Sequence, residues 1–240
     1  MKKIDILTIK YWNKIEIMNE QDWDSTDLVE DLDVPNAYVV SGEHGDNEDV
    51  LYVDFVGISY VDREDKYVDF SKYFESMKPY NRDFHFLSFN HHLKEERFHL
   101  YNFLKENNIL EKTKHTFFSQ YTKSEIEDVY LNTTAQFNSY INITTENRIS
   151  EGNIFLAERI HKNFMTFQPF VVIGQPHTLS LLKKWGYKTF EPLIDESYDD
   201  ELDFNTRFEM IKENILRLSI YSIDELHGIY YGMEDILYHN

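Results

Sequence analysis

The chain has 240 residues, 42% of them hydrophobic and 16% aromatic, which suffices for one large core or two smaller ones and excludes a disordered chain. It contains no cysteine, so a disulfide framework and thiolate metal sites are excluded. A formal net charge of −19 opposes non-specific adhesion to DNA or anionic lipid.

Ile4–Ile9 is the first predicted strand, and Met1–Leu7 reads as strand rather than as a signal sequence. An acidic run without a base extends from Glu20 to Asp33. The plain reading of such a run is a solvated loop, although Asp22-Trp23-Asp24 and Asp31-Leu32-Asp33 have the Asp-x-Asp form that can hold a divalent cation. Ala37–Val40 is the next predicted strand, closed by Gly42, and Leu51–Tyr60 follows with strand-like Val, Phe, Ile and Tyr content. The character changes at Lys78-Pro79-Tyr80-Asn81-Arg82-Asp83, which places a domain boundary near residue 80.

Phe84–Phe89 begins a new strand, and Glu95–Asn107 reads as a helix with Leu100, Tyr101 and Leu104 on its buried side. Ser124 with Glu127 is a capping box for a short helix through Tyr130. Tyr140–Thr144 has strand alternation, and Glu146-Asn147 sits just past its carboxyl end. Glu158, Arg159 and Lys162 fall at helical spacing. Phe170–Ile173 is continuously apolar, as a parallel strand covered on both faces must be. His177–Trp185 is a helix ended by Gly186. A second acidic run, Asp195–Asp203, again reads as a solvated loop. Phe208, Ile211, Ile215 and Leu218 form one helical stripe, and Ser222 with Glu225 caps the last helical stretch through Leu237. No apolar run approaches the ~20 residues that span a bilayer, and a cytoplasmic location is the expectation.

Strand, polar turn, cation-bearing helix and buried strand from Tyr140 to Gly174 make a βαβ unit, whose ligands bind at the carboxyl ends of the strands. A carboxylate there can accept from a ribose diol, while Arg and Lys neutralise phosphates, so a nucleotide is the natural ligand for this set. Arg97 early in its helix fits phosphate too, because a helix N-terminus favours anions; its plain alternative is an exposed arginine pairing Glu95 or Glu96. Glu43, after a strand and a glycine, can stand beside a cleft as a general base, with His44 as an adjacent substitute; its plain alternative is a surface turn. The pair His91-His92 suggests a metal, but adjacent histidines diverge on regular elements, so lining of the cleft is the better functional reading. Glu146 and Asn147 have the alternative role of capping the following turn, and Glu158 that of pairing Lys162.

Four segments resemble the α1,3-fucosyltransferase family in the family's order. Glu146-Asn147 is similar to its Phe-Glu-Asn-Ser turn, Phe155-Leu156-Ala157-Glu158-Arg159 to Tyr-Val-Thr-Glu-Lys, and Gln168–Gly174 to its Val-Pro-Ile-Val-Trp-Gly-like strand. Ser88-Phe89-Asn90 with Arg97 resembles a Ser-Asn turn preceding a phosphate-binding arginine. Ser41-Gly42-Glu43-His44 with Val53–Tyr60 resembles Thr-Gly-Glu-Asn and the segment after it. Phe86–Asn90 is also similar to a turn of small glycosyltransferase-like proteins of phages and bacteria. Ala157, Arg159, Phe155 and His44 depart from the family residues, and Arg for Lys changes reach and hydrogen-bond geometry.

The resemblance implies an α/β, GT-B-like fold of two Rossmann-like lobes. Residues 1–80 would form an acceptor-side lobe, 81–218 a larger donor lobe, and 219–240 a C-terminal helix able to return to the first lobe. It implies metal-independent, inverting transfer from a nucleotide-sugar, with GDP-fucose the leading donor and no cofactor. Glu43 or His44 would be the base. Ser88, Asn90, His91, Arg97, Glu146, Asn147, Phe155, Glu158, Arg159 and Lys162 would bind the donor. A saccharide is the default acceptor. Hydroxymethylated phage DNA bases are one alternative, which the acidic charge disfavours, and a non-catalytic nucleotide-binding or scaffold protein is another, motivated by the substitutions.

Overall fold

The structure, a computed structural model, describes residues 39–41, 43–44, 51–53, 70–90, 94–117, 133–150, 152 and 154–240. The chain divides into two compact units, Met1–Asp62 and Arg63–Asn240. In the first, Val39–Ser41 (β1) and Leu51–Val53 (β3) pair in parallel, and Glu43–His44 (β2) is a two-residue strand. The expected strand Ile4–Ile9, the remainder of Leu51–Tyr60, the acidic run Glu20–Asp33 and the expected helix from Ser124 lie outside the described residues.

The second unit runs Phe70–Met77 (α1), Phe84–Ser88 (β4), Glu95–Glu106 (α2), Thr113–His115 (β5), Thr133–Phe137 (α3), Ser139–Thr145 (β6), Ile154–Phe155 (β7), Glu158–Met165 (α4), Phe170–Ile173 (β8), Thr178–Lys184 (α5), Phe204–Ser219 (α6), Ile223–Gly232 (α7) and Glu234–Leu237 (α8). Four strands form one parallel sheet in the order β5-β4-β6-β8. Every residue of β8 is buried and all but one of β6, so the apolar runs are strands covered on both faces.

Register shows how the two faces are covered. Ser88 pairs with His115 and Phe86 with Ile141, so Ser88, His115, Ile143 and Thr145 point to one face. Phe117 links His115 to Tyr101 of α2 by ring contacts of 5.5 and 5.6 Å, which puts α2 on that face. Asn142 and Thr144 point the other way and bond Asn163 of α4. The unit is therefore an α/β sheet wound in both directions, as right-handed crossovers require when strand order reverses.

The helical boundaries follow local chemistry. Ser222 and Glu225 form the expected capping box of α7. Gly186, at φ 94°, ends the α5 region in the left-handed conformation that glycine adopts without strain. The stripe Phe208, Ile211, Ile215 and Leu218 is buried. The expected boundary near residue 80 differs from the observed division, because residues 70–83 pack with the second unit. Phe74 is fully buried among Phe167, Tyr230, Tyr231 and Tyr238, and Lys78 and Asn81 bond Glu234 and Asp224. The C-terminal helices accordingly pack on α1 and against β4 and β6 of their own unit.

The second acidic run is also corrected. Asp199 is buried and accepts from the Leu179 and Ser180 N–H groups, and Glu196 accepts from Thr189 and Phe190. Between them, the wholly buried Tyr198 accepts from the Val172 N–H, and burial pushes its phenol well above the ordinary tyrosine range. Composition marks this run as acidic, but donors at the start of α5 and around Phe190 meet two of its carboxylates, while Asp195, Asp200 and Asp203 stay exposed as expected.

Candidate functional site

After β4 the chain crosses to β5 on one side; β6 then lies on the other side of β4. The strand order thus reverses between β4 and β6. At such a reversal the connecting loops part on opposite faces, leaving a crevice outside the carboxyl ends of the two strands. Ser88 ends β4 and Thr145 ends β6, so the turns that follow, with Asn90 on one and Glu146-Asn147 on the other, face this crevice. Topology brings together residues more than fifty positions apart in the sequence.

The β4 turn is built by its own hydroxyls. Ser88 Oγ donates to the Ile143 carbonyl at 3.3 Å and accepts from Asn90 Nδ2 at 2.9 Å, while the Asn90 N–H donates to Thr116 Oγ1 at 2.9 Å. Arg97, in the first turn of α2, is fully buried and donates to Asn147 Oδ1 at 3.4 Å. Lys94, immediately before α2, donates to the Asn147 carbonyl at 2.9 Å. Arg97 is therefore not the exposed helix arginine of the plain reading.

On the β6 side, Arg159 donates to the Thr145 carbonyl. Glu146 is fully buried and its Oε2 accepts from the Ala157 N–H at 3.1 Å, so it holds the N-cap residue of α4. Gly174 makes room for this carboxylate: an added Cβ would sit 3.3 Å from Glu146 Cβ and Cγ. Phe155 donates its N–H to Gln175 Oε1, Gln175 reaches the Ser150 carbonyl, and Arg148 lies over the Phe155 ring at 5.5 Å. The wholly buried Arg207 donates to the carbonyls of Ile149 and Gly174, fastening the loops after β6 and β8 to α6.

Electrostatically, the crevice concentrates positive charge in an acidic chain. Burial holds the Arg97 guanidinium below its usual range, the nearby Arg159 adds to that, and Glu96 and Glu146 oppose it. Arginine stays charged throughout the working pH range. Two like charges kept close, beside the N-terminus of a twelve-residue helix without a side-chain cap, suit an arriving anion.

Of the expected site residues, Ser88, Asn90, Arg97, Glu146, Asn147 and Arg159 come together here. Lys162 is on α4 one turn beyond Arg159, and Phe155 is in β7. Glu158 starts α4, with its side chain outside what the structure describes; the same holds for the side chains of Glu43 and His44 in β2. His91 lies outside the described residues. Thr145, His115 and Arg207 carry no such expectation from sequence; a threonine immediately after the predicted strand Tyr140–Thr144 is the available signal for the first.

A separate groove of about 520 Å³ is lined by Lys183, Glu191, Asp195, Asp199 and Arg217 among others. Carboxylates of Glu191, Asp195, Glu196, Asp199 and Asp200 outnumber its cations Lys183 and Arg217, and Lys183 bonds Glu191 and Glu196. That makes it a poorer anion site than the crevice despite its volume. Among the described residues, no helix is long and apolar enough to cross a membrane.

Fold and site together define a doubly wound α/β unit with a cationic crevice at its switch point. No protein-family model and no curated protein matches the chain. Among solved structures it is similar to an α1,3-fucosyltransferase at 18% identity, over 66% of this chain and 39% of that one, with a TM-score of 0.36. It is also similar to an α1,3-fucosyltransferase with GDP-fucose at 15% identity, over 65% and 47% of the two chains, with a TM-score of 0.32. The chain spans less than half the length of either.

Proposed function

We propose that the chain is a metal-independent glycosyltransferase that binds a nucleotide-sugar at the β4–β6 crevice. The observation that carries this reading is the meeting of Arg97 and Arg159 at the topological switch point, where such sheets bind nucleotides. The sequence motifs at Ser88–Arg97, Glu146-Asn147 and Phe155–Arg159 support it independently. GDP-fucose is the proposed donor and a saccharide hydroxyl the proposed acceptor.

In this mechanism the acceptor oxygen attacks the anomeric carbon as its proton passes to the Glu43 carboxylate, with His44 as the substitute base. The bond from the anomeric carbon to the terminal phosphate oxygen breaks, its electron pair leaves with the nucleoside diphosphate, and the anomeric centre inverts. Arg97, Arg159 and Lys162 stabilise the charge that grows on that leaving group, replacing a divalent cation. Glu158 is assigned to the ribose diol. Glu146 acts by holding the start of α4, which carries Arg159 and Lys162.

A thermal-shift screen of nucleoside diphosphates and nucleotide-sugars, followed by a donor-hydrolysis assay in EDTA, tests the reading. The expected result is stabilisation by a nucleoside diphosphate and slow sugar release with chelator present. Loss of activity in EDTA with rescue by manganese would move the chemistry to an Asp-x-Asp motif, and no shift with any nucleotide would end the assignment.

A further inference from the structure

Two fully buried side-chain oxygens at the crevice have no hydrogen-bond partner among the described residues: Asn90 Oδ1 and Thr145 Oγ1. His115 Nδ1, on the same face at the end of β5, is a third such atom. Buried polar atoms of this kind are satisfied by ordered water or by a ligand group, because leaving one unmet costs about 1–3 kcal/mol.

The chemistry required of the partner follows from the Ser88 network. The Ile143 carbonyl can only accept, so Ser88 Oγ spends its one proton there. Ser88 can then only accept from Asn90, which fixes the amide nitrogen toward Ser88 and turns Oδ1 away. The free position at Asn90 is therefore an acceptor, and a phosphate oxygen cannot satisfy it. What can is an O–H or N–H donor. Thr145 Oγ1 can give or receive, and its own carbonyl is held by Arg159. The phosphate-compatible groups, Arg97 and Arg159, and these neutral ones adjoin through Thr145 and the β4 turn.

We propose that Asn90 and Thr145 recognise the nucleoside part of the ligand, taking hydrogen bonds from ribose hydroxyls or base N–H groups, while Arg97 and Arg159 hold its phosphates. This assignment rests on the nucleotide reading of the site. It makes the crevice selective for a nucleoside diphosphate over the bare diphosphate, and makes the β4 turn the source of that selectivity.

Calorimetry with GDP, 2′,3′-dideoxy-GDP and inorganic diphosphate separates the possibilities, using the full chain and the variants Thr145→Val and Asn90→Ala. Thr145→Val keeps the side-chain shape and removes a hydroxyl that bonds none of the described residues, so its melting temperature should stay level or rise. Its affinity for GDP should fall about 3- to 10-fold, the size of one neutral hydrogen bond, with affinity for inorganic diphosphate unchanged. Asn90→Ala should show the same selectivity, with lower stability because it also releases Ser88 and the β4 turn. A penalty that disappears with the dideoxy nucleotide assigns the ribose hydroxyls, and one that persists assigns the base. Equal losses for GDP and diphosphate, or no loss in Thr145→Val, would overturn the proposal while leaving the nucleotide site standing. Wild-type protein that binds neither GDP nor diphosphate would remove the underlying reading as well.

Discussion

The two ends of the parallel sheet each bury an arginine, and they treat it in opposite ways. At the amino end, Arg82 donates to the Gln136 and Ser139 carbonyls and to the Tyr230 hydroxyl, and its guanidinium lies 4.1 Å from the Tyr230 ring centroid and 5.4 Å from that of Tyr140. Neutral acceptors and ring faces surround one charge, an arrangement that stabilises it outright. At the carboxyl end, Arg97 is kept beside Arg159, a second cation that works against it. Glu96 and Glu146 oppose that effect, yet the second cation is kept there, so the pairing of like charges marks an end shaped for an anion rather than for stability.

The largest test of this contrast is at the amino end. Arg82→Leu takes the Tyr230 hydroxyl's guanidinium donor away and leaves the Gln136 and Ser139 carbonyls with Gln168 Nε2 alone, and should cost about 3 kcal/mol in urea denaturation. Nucleotide affinity of the fraction that folds should not change. Arg97→Met should do the reverse, weakening GDP binding by about 1.5–3 kcal/mol in calorimetry through loss of a charge-assisted contact. Its melting temperature should fall far less than that of Arg82→Leu, because the lost attraction to Glu96 and Glu146 is offset by the removed repulsion with Arg159. If Arg97→Met destabilises as much as Arg82→Leu, the two ends are alike and the contrast fails.

Smaller effects sharpen the picture. Ser222→Ala removes the α7 cap and should cost about 1 kcal/mol of stability with no change in ligand affinity. The smallest is a pH effect. Burial lowers the His85 pKa below 6.5, with Lys112 adding to this against a bond to the Tyr221 carbonyl. The unfolded chain therefore takes up the proton first. Stability from this group is complete above the unfolded value and is lost as pH falls through it toward the folded one. Urea midpoints between about pH 7.5 and pH 5.5 should fall with pH, less steeply in His85→Asn. His115, lowered by burial in the same way, leaves a residual slope in that variant.

Much of this was legible along the chain. Apolar continuity, periodicity and an explicit cap place β8, α2 and the capping box of α7 within a residue or two, and the buried stripe of α6, because those signals are local. The site is legible as types and spacings, since Arg97, Glu146-Asn147 and Arg159 stand out by motif alone. Sequence left open which of them would be solvent-facing. Glu146 is wholly buried on a backbone N–H, and Arg97, readable as a surface helix arginine, is enclosed; both outcomes depend on the strand order, which no local pattern encodes. Asp199 and Tyr198 show the same limit, since an acidic run looks solvated until the N–H groups of α5 are brought to it.

The central claim is that the switch-point crevice, rather than the groove near Lys183 and Arg217, receives the nucleotide. A crystal structure of the full chain with GDP tests this most directly. The account requires the diphosphate at the carboxyl ends of β4 and β6, within hydrogen-bond reach of Arg97 or Arg159. A diphosphate seated in the groove beside Lys183 and Arg217, with the crevice filled by water alone, would contradict it.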